Sequence, residues 1–217
     1  MPDVEDRCRL VLVAPDIPDA DLLAQTLGDA LRGGDVASVI VPQYDLNDDA
    51  FQRSAELLVP IVQQAGAAAL IAGESRIAAR TGADGLHIAG GVAELQDAME
   101  RFAPKWIVGG GRPKDRHAAL EVGELRPDYV FFGRLDGDIK DEAHPKNLAL
   151  AEWWASMVEI PCVVMGGLVP DSAVAVAETG AEFVALRKAV FAEPGQAAMI
   201  VARINALLDE KAPRFDD

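Results

Sequence analysis

The chain has 217 residues, half of them apolar, and a formal net charge of −15. This length supports one well-filled domain, and the apolar fraction excludes a disordered chain. Such an acidic field repels polyphosphate and argues against nucleic acid as a partner, but a few cations focused in one cleft would still hold a small phosphorylated ligand. No apolar run is long enough to span a membrane, and the opening MPDVEDRCR lacks an apolar signal region, so the sequence predicts a cytoplasmic protein without a membrane partner. Cys8 and Cys162 have neither pairing nor metal spacing, and Cys162 reads as a buried apolar residue.

Strands and helices alternate along the chain. A strand over 9–14 ends at Pro15-Asp16, and a helix starting at Asp19 or Asp21 runs to Arg32, where Gly33-Gly34 stops it. A strand over 37–41 is followed by a helix from Asn47 through Gln64, with a kink or break expected at Pro60. Residues 67–71 are the third strand and 75–81 a short helix stopped by Gly82. Residues 84–88 are the fourth strand and 93–102 a helix. A fifth strand over 105–108 precedes GGGRPKD and a short helix over 116–122; a sixth over 128–132 precedes the long segment GRLDGDIKDEAHPK and a helix over 147–158.

The seventh and eighth strands lie within PCVVMGGLVPDSAVAVAETGAEFVALR. The apolar run 162–165 ends in Gly166-Gly167, Asp171 and Ser172 start a short helix that Gly180 ends, and the run 183–186 stops at Arg187. A closing helix spans 194–210. Eight alternating units in this length predict a single α/β domain over 1–217, a compact (β/α)8 TIM barrel, with residues 1–8 and 211–217 frayed. A doubly wound sheet is the rival architecture.

In a barrel, the chemistry lies in the loops after the strands, and the loops after the last two strands commonly cradle phosphate. Gly166 and Gly167 would let backbone N–H groups approach an anion, or would simply relieve crowding in a tight turn. The rim loops carry the cations Arg76, Arg112, Lys114, Arg134, Lys140, Lys146, Arg187 and Lys188, about half of which should point inward.

Five segments carry a resemblance to the thiamine phosphate synthase and TenI superfamily: ALIAGESRIAARTGADGLHI, KWIVGGG, DYVFFGRLDGDIK, IPCVVMGGL and GAEFVALRKAVF. Synthases of this family join a pyrimidine diphosphate to a thiazole phosphate with Mg²⁺ on the diphosphate. The resemblance therefore implies a transferase and a small phosphorylated heterocycle as ligand. It places phosphate at Gly166, Gly167, Leu186 and Arg187, with Lys140 as a catalytic cation. Gly110, Gly111, Arg112 and Arg134 are further ligand-binding candidates.

The chain departs from the family pattern where metal and pyrophosphate bind. Pro42-Gln43-Tyr44-Asp45 replaces the family's basic motif, Ala72-Gly73 replaces its Asn-Asp pair, and HIAGGVAE lacks its metal-binding Asp. Mg²⁺ thus has no matched ligands. TenI-type tautomerases use a His after the fifth strand; here Pro113 stands near that position and His117 lies a turn later, on the helix. A phosphate-binding paralogue without catalysis, or a metal-independent TenI-like isomerase, remains open beside the synthase reading.

Individual residues leave further choices. Glu74, delivered by the third strand, is either an acid–base catalyst or a helix cap; Arg76 follows it on the rim. His87 is either a ligand contact or a structural hydrogen bond in the interior. His144 with Asp141 and Glu142 is an acid–base set or a solvated loop, and Asp136 and Asp138, flanking Gly137, are a weak oxygen-ligand pair. Trp153 and Trp154 cannot both face inward, so one is expected in the core and the other at a subunit contact of a homodimer.

Overall fold

The computed structural model describes residues 6–193 and 195–215. Eight strands, β1 (Arg9–Val13), β2 (Ser38–Pro42), β3 (Ala68–Ala72), β4 (Gly85–Ile88), β5 (Ile107–Gly110), β6 (Tyr129–Phe132), β7 (Cys162–Met165) and β8 (Phe183–Leu186), pair in parallel in sequence order. β8 closes on β1 through the register Leu10 to Val184, giving a closed barrel. The outer ring comprises α1 (Ala20–Leu31), α2 (Asp48–Gln64), α3 (Ser75–Thr81), α4 (Val92–Phe102), α5 (Arg116–Glu124), α6 (Pro145–Ala155), α7 (Ser172–Ala177), α8 (Lys188–Phe191) and α9 (Ala197–Lys211).

The period of two along each strand divides the core. In β1, Val11 and Val13 join Ile40, Leu70, Tyr129, Phe131, Val163 and Met165 inside the barrel. Leu10 and Leu12 face outward, packing with helix residues such as Leu27, Leu58 and Trp154. The residue just before each of β4, β6 and β8 ties down the neighbouring strand at the bottom of the barrel. Asp84 accepts from the Ala69 amide at 2.7 Å, Asp128 from Val108 at 2.7 Å, and Glu182 from Cys162 at 2.8 Å.

Most predicted elements appear within a residue or two of their expected bounds; the larger differences have physical causes. β5 begins and ends two residues later than its predicted span, because Gly109 and Gly110 are strand residues and not loop. A Cβ on Gly109 would lie 2.3 Å from the Tyr129 ring, and one on Gly110 2.2 Å from the Ile88 carbonyl oxygen. α2 runs unbroken through Pro60, which faces solvent, where water can serve the carbonyl that proline leaves without a donor. α8 is a single turn with no sequence periodicity to announce it. The predicted start of the closing helix, Pro194, lies outside the described residues.

The described parts of the segments predicted to fray are packed together. Arg7 is 1 % exposed and donates to Asp209 at 2.7 Å and Asn205 at 3.2 Å on α9. The Arg7 backbone pairs with that of Arg214 in an isolated antiparallel β-bridge, and the Phe215 amide reaches the Asp6 carbonyl at 2.8 Å. A buried guanidinium demands partners, and Asp209, Asn205 and the Cys8 carbonyl, at 2.8 Å, supply them. Residues 1–5 and 216–217 lie outside the described residues. Among the described residues no helix is long and apolar enough to cross a membrane.

Candidate functional site: the mouth of the barrel

On one side of the mouth, the turn after β7 and the end of β8 meet as the sequence predicts, but their donors are already engaged. The Gly166 amide donates to the Ala185 carbonyl at 2.9 Å, Gly167 to the Ser172 hydroxyl at 2.9 Å, and Leu168 to the Lys140 carbonyl at 2.8 Å. Leu186 is buried in the outer core. The Lys188 amide donates to the Asp138 carboxylate at 2.8 Å. Asp138 is fully buried and also accepts from Arg187, through Nε at 3.1 Å and through Nη2.

Arg187 donates further to the Tyr44 hydroxyl, which itself donates to the Ala14 carbonyl at 2.7 Å. Burial works against the guanidinium charge, yet Asp138 and Tyr44 hold the Arg187 pKa above its ordinary value. Burial likewise pushes the Tyr44 phenol up. Tyr44 adopts a left-handed backbone (φ 47°) to reach this position, a strained conformation for a bulky side chain. Asp138, read from sequence as half of a weak metal pair, is instead the counter-ion of Arg187. Local sequence could not pair them, because the two are 49 residues apart.

The other side of the mouth is open. A cavity of about 520 Å³ lies between the loops after β5 and β6 and the start of α6. Arg112 and Lys114 line it from the first loop, Arg134, Asp136 and Ile139 from the second, and His144, Lys146 and Asn147 from the third segment. Arg134 chelates Asp136, with Nε to Oδ1 at 2.7 Å, which draws the Asp136 carboxyl below its usual range. Arg112, Lys114 and Lys146 have no carboxylate partner among the described residues. His144 accepts from the Lys146 amide at 3.2 Å, so it caps α6 and is not paired with Asp141 or Glu142.

A smaller recess of about 140 Å³ shares Arg112, Gly133, Arg134 and Asp136 with the cavity and reaches down to His87, Phe131 and Leu135. His87 Nδ1 lies 2.8 Å from the Tyr129 hydroxyl, and its ring meets the Phe131 edge at 4.9 Å between centroids. Burial lowers the His87 pKa to about 3, so the ring is neutral at pH 7. The buried Tyr129 hydroxyl is satisfied by donating to Nδ1, an assignment that rests on the hydrogen-bond network and leaves Nε2–H for the recess. His87 therefore makes the structural bond and also lines the recess.

Most of the remaining predicted residues lie outside both the cavity and the recess. Gly110 is consumed by the sheet. The Gly111 amide donates to the Ile88 carbonyl at 2.9 Å, and its backbone edges the recess. Glu74 is exposed at the start of α3, makes no side-chain capping bond, and lines neither cavity. Arg76 turns away to Asp48 of α2. Lys140 is exposed, and its bond to the mouth is through its carbonyl. His117 stands on α5, 3.6 Å from Glu121. Trp154 is in the core, while Trp153 is half-buried under the Arg116 guanidinium, 5.0 Å from its ring centre.

The oxygen ligands read from the sequence are not free for a Mg²⁺ ion. Asp136 is chelated by Arg134, Asp138 is spent on Arg187, and Glu74 stands alone. Among the described residues no three His, Cys, Asp or Glu side chains gather into a protein-only metal cage.

Comparison with known proteins places the chain in a family. The thiamine monophosphate synthase (TMP-TENI) family model matches residues 10–190. The thiamine-phosphate synthase of Rhodospirillum centenum is 35 % identical over 205 residues, covering 93 % of this chain and 98 % of that protein. That of Hyphomonas neptunium is 31 % identical over 212 residues, covering 95 % and 96 %. Among solved structures, the thiamine phosphate pyrophosphorylase of Pyrococcus furiosus shares the fold with a TM-score of 0.78 at 20 % identity, over 96 % of this chain and 98 % of that one. With matches over nearly the whole barrel, the chain belongs to the thiamine monophosphate synthase and TenI family, as a divergent member.

Proposed function

We propose that this family member binds a small phosphorylated heterocycle in the open side of the mouth. The phosphate lies among Arg112, Lys114 and Lys146, and the ring enters the recess against Phe131, with His87 Nε2–H donating to a ring heteroatom. The observation that carries this reading is the cavity itself, where three cations without a carboxylate partner among the described residues face one space in a protein of net charge −15. Kinship points to the synthase reaction, coupling a pyrimidine diphosphate to a thiazole phosphate, with Glu74 and Lys140 as the residues expected to act. Both stand outside the cavity, and the oxygen ligands read from the sequence are not free for Mg²⁺. These facts favour a second reading, in which the heterocycle is bound without synthase turnover. The proposed setting is the cytoplasm, in keeping with two free, buried cysteines.

A thermal-shift titration tests the reading, using inorganic phosphate, thiazole phosphate, thiamine phosphate and pyrophosphate, each with and without Mg²⁺. The phosphorylated heterocycles should stabilise the protein without metal, by ~2.7 kcal/mol at ~100 times Kd. Arg112→Ala/Lys146→Ala should abolish the effect. No shift with any phosphate sinks the reading, and formation of thiamine phosphate in a synthase assay would restore the coupling reaction.

A further inference from the structure

The loop over 133–144 leaves β6 and crosses to the far side of the mouth, where it is fastened at three points. The Asp138 carboxylate takes the N–H groups of Arg187 Nε, Arg187 Nη2 and the Lys188 backbone. The Lys140 carbonyl takes the Leu168 amide at 2.8 Å. The Asp141 carbonyl lies so close over the turn after β7 that a Cβ on Gly167 would stand 2.1 Å from it. The loop thus both covers this turn and supplies an anion to the buried guanidinium beside it.

We propose that Asp138 is a specificity-determining residue. Its carboxylate is a built-in anion occupying the place a second phosphate would need at the ends of β7 and β8, so the barrel accepts one phosphorylated ligand and not two together. The exclusion is electrostatic. Arg187 is 9 % exposed and cannot stand without an anion, and Asp138, fully buried, provides it. An incoming phosphate would need the three N–H groups that Asp138 already holds. Two anions on one guanidinium repel at short range in a poorly solvated site. The position of the carboxylate therefore directs ligand phosphate to the exposed cations across the mouth. This inference rests on the proposed phosphate binding, but the test separates the two.

Binding of inorganic phosphate is measured by calorimetry on four proteins: wild type, Asp138→Asn, the triple variant Arg112→Ala/Lys114→Ala/Lys146→Ala, and that triple variant carrying Asp138→Asn. The expected stoichiometries are one, two, none and one. The affinity gained on Asp138→Asn in the triple background should be at least tenfold. The triple variant alters only exposed side chains and keeps the Asp138–Arg187 pair, so it remains folded. If the triple variant binds phosphate as wild type does, Asp138 does not exclude it and the inference falls. Folded Asp138→Asn proteins with no gained site also overturn it. If wild type binds no phosphate while Asp138→Asn binds one, the inference stands and the open-side reading fails.

Discussion

Where β8, β1 and β2 end, Arg187 is nearly buried and its charge is met from within by Asp138 and Tyr44. Where β4, β5 and β6 end, Arg112, Lys114 and Lys146 are exposed around a cavity and have no carboxylate partner among the described residues. The difference follows from solvation. A desolvated cation is stable only with its counter-ion built in, and that counter-ion then competes with any ligand. Cations in water carry little penalty while unpaired, so their charge stays available to an anion that arrives later. The family's barrel is common to both sides; burial decides which side keeps its cations in solvent.

The largest effect is expected on removing the internal anion. Asp138→Ala leaves Arg187 buried without its partner and should cost ~3–5 kcal/mol, read as a lower denaturant midpoint at unchanged slope. A loss below ~1 kcal/mol would mean that the guanidinium reaches water, and the sealed side would not be sealed. Next in size is Gly167→Ala, which sets a methyl against the Asp141 carbonyl. It should destabilise by ~1–3 kcal/mol by prising the loop from the turn; a neutral result would show that the loop is only loosely seated.

On the open side, His87 gives a pH signature. Its folded pKa, about 3, lies below the ordinary histidine value, so the unfolded chain binds the extra proton between roughly pH 6.5 and 3. Stability from this group is fully present above that window and falls as pH drops through it, by ~1.4 kcal/mol per pH unit. His87→Gln should remove one proton's worth of that slope, and an unchanged slope would place His87 in a solvated site. The smallest effect on stability belongs to Arg112→Ala. The fold should change by no more than ~0.5 kcal/mol while affinity for a phosphorylated heterocycle drops about tenfold, ~1.4 kcal/mol. Equal affinity in the variant would move the ligand out of the cavity.

The barrel was legible because each strand is a short apolar run between glycine, proline and acidic punctuation; β7, β8 and α3 fall at their expected bounds. β5 was displaced because Gly109 and Gly110 look like loop residues. The Tyr129 ring, twenty residues from Gly109 in sequence, and the Ile88 carbonyl beside Gly110 explain why a strand needs glycine there. At the site, the rim cations could be named from loop position alone. Their grouping could not, since α3 turns Arg76 toward Asp48 while the loops after β5 and β6 bring Arg112 and Lys114 together with Arg134. The turn at Gly166-Gly167 has the glycines of a phosphate cradle, but nothing local in the sequence says that a carboxylate from the loop after β6 is already seated beside it.

An amide ¹⁵N–¹H titration of the wild-type protein with thiamine phosphate separates the two sides of the mouth. The account predicts saturable shifts at Gly111, Arg112, Lys114, Arg134 and Lys146, with Gly166, Gly167, Leu168 and Lys188 unmoved. Shifts concentrated at Gly167, Leu168 and Lys188 would contradict it, because they would put ligand phosphate on the side that Asp138 is held to close.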